Sequence, residues 1–205
     1  MTDSIAACRL HVLLAKNADI GIVFRRGPAA WWHILKWDLT NFTFENGAWL
    51  KGTLYPTRSA VSHDGKVIAY FAMHGGWGTY FALSKPPWLK ALCAWKTSGE
   101  NFNPGPNVVI ELSKSSPQDP NLVLNKYSEF GSCLYSITYP DSEEILLSDA
   151  IWADFDRKGR LVIASAAGEL RICEINDSNL TTVFSNNLNS LKPTPVQAPE
   201  CAKKW

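Results

Sequence analysis

The chain has 205 residues, of which 46% are hydrophobic, with nine Trp, six Tyr and nine Phe, material enough for the core of a soluble all-β domain. Its net charge of +1 excludes a dominant electrostatic partner such as duplex nucleic acid or an anionic membrane surface. No apolar run reaches the roughly 18 residues that a membrane-spanning helix needs.

From the N-terminus, Cys8 to Ala15 reads as a strand, and Lys16-Asn17-Ala18-Asp19 turns it into a second strand, Ile20 to Phe24. Arg25-Arg26-Gly27-Pro28 breaks that strand, and Trp31 to Leu39 is the next. Thr40-Asn41 turns again into Phe42-Thr43-Phe44, and Glu45-Asn46-Gly47 is expected to close the unit before Ala48-Trp49-Leu50. Four short strands in about 45 residues make one candidate propeller blade.

A second unit begins at Ser62-His63-Asp64-Gly65-Lys66. Here Asp caps its own backbone and Gly accepts a positive φ, so a turn leads into the β-rich run to Met73. His74-Gly75-Gly76-Trp77-Gly78 is a flexible connection to Thr79 to Leu83, and Pro86-Pro87 marks an edge or a crossing loop because neither residue can donate to a ladder. Leu89 to Trp95 is expected to be the closing strand, with Cys93 in the core. The third unit is less regular: Val108 to Leu112, a polar loop Lys114 to Asn121, Leu122 to Leu124, Cys133 to Tyr139 and Glu144 to Leu147.

The fourth unit is the clearest. Asp156-Arg157-Lys158-Gly159 is another Asp/Gly turn, Arg160 to Ala164 suits a strand buried on both faces, and Ala167-Gly168 turns into Leu170 to Ile175. Asn179 to Phe184 completes it. Gly65 and Gly159 lie 94 residues apart, twice 47, which places weaker echoes near 18 (Ala18-Asp19) and 112 (Gly105-Pro106-Asn107). This repeat predicts an all-β fold, a small β-propeller-like array of about four to five blades, with an open β-sheet array or a β-sandwich as the alternative. Residues 1–190 read as a single all-β domain and residues 191–205, rich in Pro and Lys, as an extended or disordered tail.

The segments Arg25-Arg26-Gly27-Pro28, Trp37-Asp38, Trp49 with Lys51-Gly52, Ser62 to Gly65 and Ser84-Lys85-Pro86-Pro87 carry a resemblance. Over roughly residues 8–100 and 150–175 the chain is similar to a set of uncharacterised bacterial proteins with RRGP, Trp-Asp, Trp-x-Lys-Gly, SPDG-like and SRPP segments in this order. His63 stands where that set has Pro, and Lys85 where it has Arg. The resemblance implies a bacterial, cytoplasmic protein and no particular activity.

The chemistry-bearing residues are few. Arg25 and Arg26 beside Trp31 and Trp32 could bind a carboxylate, a phosphate or an acidic loop, or simply stack in a turn. His74 and Trp77 sit on the glycine-rich connection, and Trp88 beside the prolines is placed near a surface. Asp154 and Asp156 flank Phe155, so in a strand they share a face as acid–base carboxylates would, although Asp156 also suits a turn. Cys8, Cys93, Cys133, Cys173 and Cys201 form no CxxC pair and read as thiols of a reducing cytoplasm. With no HxH, HExxH, nucleophile elbow or phosphate-binding glycine loop, neither a metal nor another cofactor is expected.

These residues point first to a non-enzymatic module that binds another protein through an aromatic loop face, of which an immunity or antitoxin-type role is one use. The alternative is an enzyme or small-ligand binder, carbohydrate included, that uses a central pocket.

Overall fold

The structure, a computed structural model, describes residues 6–97, 110–129, 132–139, 143–176 and 179–204. The first sheet is an antiparallel meander of β1 (Arg9–Leu14), β2 (Ile20–Arg26), β3 (Trp31–Asp38) and β4 (Thr43–Lys51). The second contains β5 (Thr53–Leu54), β6 (Ala60–Val61), β7 (Ile68–His74), β8 (Gly78–Ser84) and β9 (Cys93–Lys96), with both β5 and β6 pairing along β7. The third runs β10 (Ile110–Ser115), β11 (Val123–Glu129), β12 (Ser132–Thr138) and β13 (Ile145–Leu146). The fourth runs β14 (Ala150–Phe155), β15 (Leu161–Ser165), β16 (Glu169–Asn176) and β17 (Asn179–Asn187). Four successive up-and-down antiparallel sheets are the four-blade β-propeller arrangement.

The chain divides into two compact units, one of Met1–Glu100 with Asn189–Trp205 and the other of Asn101–Leu188. Each has its own core. In the first, Ile22, Phe24, Trp32 and Ile34 of the first sheet meet Leu54, Ile68, Tyr70, Ala72 and Ala82 of the second. In the second, Leu124, Tyr135 and Ile137 meet Ala153, Phe155, Leu161 and Ile163. The cores consist of alternate strand residues because successive side chains point to opposite faces of a sheet.

The two Asp/Gly turns are equivalent, and each is held by the preceding sheet. Gly65 and Gly159 have φ of 72° and 76°, the left-handed region that glycine enters without a Cβ clash. In the first unit the Asn17 N–H donates to the His63 carbonyl at 2.8 Å, and a Cβ on Gly65 would lie 3.0 Å from Ile20. In the second, Gln118 Nε2 donates to the Arg157 carbonyl at 3.0 Å, and a Cβ on Gly159 would lie 2.8 Å from Ser116 Oγ. The echo at Ala18-Asp19 is therefore a true counterpart. The other expected echo, Gly105-Pro106-Asn107, lies outside the described residues, and the counterpart turn is the polar loop between β10 and β11. Its side chains grip the next turn, a tertiary role that glycine counting does not detect.

Other boundaries differ from expectation. Glu45-Asn46-Gly47 is no turn but the middle of β4, where the register slips between His33 and Leu35 and leaves a bulge. Gly47 fits there because Pro87 presses on it: a Cβ would overlap the Pro87 carbonyl oxygen, which accepts from the Ala48 N–H at 3.0 Å. The closing strand of the second sheet is only Cys93–Lys96, and Cys93 is exposed rather than in the core. Cys8 and Cys173 are the buried thiols. Among the described residues, no helix is long and apolar enough to cross a membrane.

Residues 191–199 carry no regular secondary structure and are followed by a short 3-10 turn Glu200–Ala202 whose Ala202 is buried. Lys85 Nζ donates to the Cys201 carbonyl at 3.1 Å.

Candidate functional site

The Arg25-Arg26-Gly27-Pro28 turn links β2 to β3 through a cis Gly27–Pro28 bond, and it separates its two arginines. Arg25 is 2% exposed; it lies on the face of β2 opposite Ile22 and Phe24, in register with His33 of β3. It donates to the carbonyls of Gly27 at 2.6 Å, Asn189 at 3.2 Å and Leu191 at 3.0 Å. Arg26 points outward, its guanidinium 5.5 Å above the ring of Trp32. Trp32 is itself core, and the half-buried Trp31 stands edge-on to Trp49 at 6.4 Å. This cluster does not assemble into an anion-binding surface, because Arg25 is occupied in tying residues 189–191 to the first sheet.

Asp154 and Asp156 do not form a carboxylate pair. Asp154 is half-buried and ion-paired to Lys114. Asp156 is buried and accepts from the N–H groups of Lys158 and Arg160, both at 2.9 Å, and from Arg160 Nε at 2.8 Å. It is the organiser of its own turn, as the Asp-x-x-Gly pattern allows.

His74 and Trp77 do converge. With Tyr70, Tyr80, Leu89 and Lys90 they line an open groove of about 610 Å³ on the second sheet. Trp77 is 48% exposed yet held edge-on against Tyr80, ring centroids 5.6 Å apart, and Tyr80 stands against Tyr70 at 6.3 Å. Tyr70 anchors the row by donating its hydroxyl to the Leu89 carbonyl at 3.1 Å, and burial pushes that hydroxyl's pKa up. Trp88, half-buried after the cis Pro86–Pro87 bond, is not among the residues lining this groove; its carbonyl accepts from Ser84 Oγ at 2.7 Å.

The opposite face of the same sheet carries a second aromatic row. Tyr55, Phe71, Phe81 and Trp95 follow one another at centroid distances of 5.2, 4.7 and 5.9 Å. Arg58 lies 5.3 Å over Phe71 at the inner end, and Trp95 is 48% exposed at the outer end. Trp95 is not among the residues singled out from the sequence; its place in this row follows from the register that sets Phe81 across from Trp95.

A third feature was also missed. His33, 1% exposed, lies between Arg25 and Trp49 in register across β2, β3 and β4. Burial, aided by the Arg25 charge, pushes its pKa down to about 4, so the imidazole is neutral at physiological pH. Neither ring nitrogen has a hydrogen-bond partner among the described residues, an arrangement that costs on the order of 1–3 kcal/mol. His33 and Trp49 form the floor of a cavity of about 480 Å³ whose other wall is residues 190–192, 194 and 196.

No protein-family model and no curated protein matches the chain. Among solved structures it is similar to an uncharacterized protein from Listeria monocytogenes EGD-e, with 8% identity and a TM-score of 0.38, covering 88% of this chain and 66% of that one. It is similar to the Dos1 propeller, with 9% identity and a TM-score of 0.34, covering 85% and 39%, and to the C-terminal WD40 domain of Sif2, with 14% identity and a TM-score of 0.26, covering 91% and 65%. The chain spans between 39% and 66% of the length of these structures.

Proposed function

We propose that this chain is a non-catalytic binding module that engages another protein through the aromatic second sheet. The observation that carries this reading is Trp77: an indole 48% exposed and yet fixed in place by Tyr80. An aromatic held rigid while still free loses little conformational entropy on docking, which is what interface anchors require. Trp95 and Met73, also exposed, lie with Phe71 and Phe81 on the opposite face of the sheet and are not part of this surface. Among the described residues that line it, the groove beside Trp77 holds His74 and Lys90 and no carboxylate, which suits a partner segment with acidic and apolar side chains. The exposed thiols Cys93 and Cys201, both free, suit a reducing cytoplasm. Kinship with the RRGP-bearing bacterial set belongs to the same proposal.

The test is affinity capture from the native cell lysate with the wild-type chain and with Trp77→Ala, after circular dichroism has shown both folded. A stoichiometric protein held by the wild type and lost from the variant supports the module, and a toxin in that position would assign an immunity-type role. Equal capture by both chains, or no stoichiometric protein on either, overturns it.

A further inference from the structure

The groove along Tyr70, Tyr80 and Trp77 is rich in hydrogen-bond donors and poor in acceptors. Basic side chains stand at both of its ends: His74 beside Trp77 at the β7–β8 connection, and Lys90 next to Leu89. Between them, neither the indole N–H of Trp77 nor the hydroxyl of Tyr80 makes a hydrogen bond among the described residues, and Trp77 is 48% exposed. The described residues that line the groove include no Asp, Glu, Asn or Gln, the side chains that would supply strong acceptors. Carbonyls at its two ends are already engaged. That of His74 accepts from the Trp77 backbone N–H at 3.0 Å, and that of Leu89 from the Tyr70 hydroxyl at 3.1 Å.

A segment that fits such a groove brings acceptors and apolar bulk, and few N–H groups that docking would leave unpaired. Backbone forms differ in this respect. A helix keeps its carbonyls bonded internally, and an extended strand carries an N–H for every carbonyl and needs a sheet edge to pair with. A polyproline II segment has no internal hydrogen bonds, so its carbonyls are open, and each proline in it has no N–H. Aromatic-lined grooves are where such segments dock. The row is also preset, Trp77 braced on Tyr80 at 5.6 Å and Tyr80 on Tyr70 at 6.3 Å, and a polyproline II helix is preformed, so neither side loses much conformational entropy on docking. Granted the protein-binding reading of this groove, we infer that the partner segment it takes is proline-rich, in the polyproline II conformation, with acidic residues flanking the prolines. Its prolines lie against Trp77 and Tyr80, its carbonyls accept from the Trp77 indole N–H and the Tyr80 hydroxyl, and its carboxylates meet Lys90 at one end and His74 at the other.

The experiment is a titration of the full chain, followed through the indole N–H of Trp77 in a 1H–15N spectrum and assigned by the loss of that signal in Trp77→Phe. The probe is the peptide acetyl-Glu-Pro-Pro-Leu-Pro-Pro-Glu-amide. A second peptide with alanine for every proline keeps the charge and the apolar centre but restores the N–H groups, as a helical or irregular acidic partner would. A third, with lysine for both glutamates, keeps the polyproline II form and reverses the charge. Saturable movement with a Kd below about 1 mM is expected for the probe, with both control peptides at least about fivefold weaker. Tyr80→Phe, which keeps the ring and removes only the hydroxyl, and Lys90→Ala, a change on an exposed side chain, are each expected to weaken the probe several-fold. The proposal is overturned if the Trp77 signal does not move up to about 5 mM probe, if either control peptide binds as tightly as the probe, or if either variant binds it unchanged. A null titration beside a lysate partner that is lost in Trp77→Ala removes the proline-rich class and leaves the binding module standing, whereas the absence of any captured protein removes the module itself.

Discussion

The imidazole of His33 lies flat on the indole of Trp49, ring centroids 4.1 Å apart, in the buried row that also holds Arg25. The stack exists because the β4 register brings Trp49 directly across from His33 just before the bulge. It leaves a titratable group where its charged form is disfavoured by burial and by Arg25, and pH dependence follows from that.

With a folded pKa of about 4 against an ordinary 6.5, His33 takes up a proton in the unfolded chain before it does so in the folded one. Its depressed pKa therefore costs nothing above about pH 6.5 and destabilises the fold progressively as pH falls toward 4, by a few kcal/mol at most. The urea midpoint of the wild type is expected to fall across that window, and that of His33→Phe to fall much less. Equal pH profiles for the two chains would show that His33 is not the group responsible.

The two aspartates of the fourth sheet separate by environment. Asp156→Asn removes the charge that Arg160 meets and weakens a buried set of three hydrogen bonds, with an expected loss of about 3 kcal/mol. Asp154→Asn breaks a partly exposed pair with Lys114 and is expected to cost under about 1 kcal/mol. Urea denaturation of both variants checks the order, and a larger loss at Asp154 would refute it.

Gly47 and Gly75 make a matched pair of glycine-to-alanine tests. A Cβ at Gly47 collides with the Pro87 backbone, whereas one at Gly75 meets nothing within 4 Å. Gly47→Ala is expected to lose roughly 2 kcal/mol or more, as overpacking against an unyielding neighbour does. Gly75→Ala is expected to stay within about 0.5 kcal/mol. Thermal unfolding reads both.

Arg25→Lys keeps the charge but not the fork that reaches Gly27, Asn189 and Leu191 together. Faster amide exchange at residues 189–196, with the β7 and β8 amides unchanged, is the expected result. Uniform loss of protection across the first unit would instead make Arg25 a determinant of the whole core.

Much of the fold was legible in the chain because turn chemistry and strand alternation are local. Asp64-Gly65 and Asp156-Gly159 demand positive φ within four residues, and the run from Leu161 to Ala164 has the composition of a doubly buried strand, so sheets two and four could be located. His74 and Trp77 were legible as exposed residues for the same reason: a glycine-rich connection exposes what it carries. Gly47 was misread as a turn residue because its reason for being glycine, the Pro87 carbonyl, lies 40 residues away.

What the sequence determined by itself is the all-β class, the repeated Asp/Gly turn and the positions of most strands, since each follows from contacts between near neighbours. Only the tertiary structure decided that Arg25 is a buried tie and Arg26 a surface residue, that Asp156 serves its own turn, and that His33 lies beneath residues 190–196. Those roles depend on groups brought together from far apart in the chain, as the separation of 166 positions from Arg25 to Leu191 shows. No periodicity encodes which carbonyl a buried guanidinium will find, because that choice is made by packing once the sheets have met.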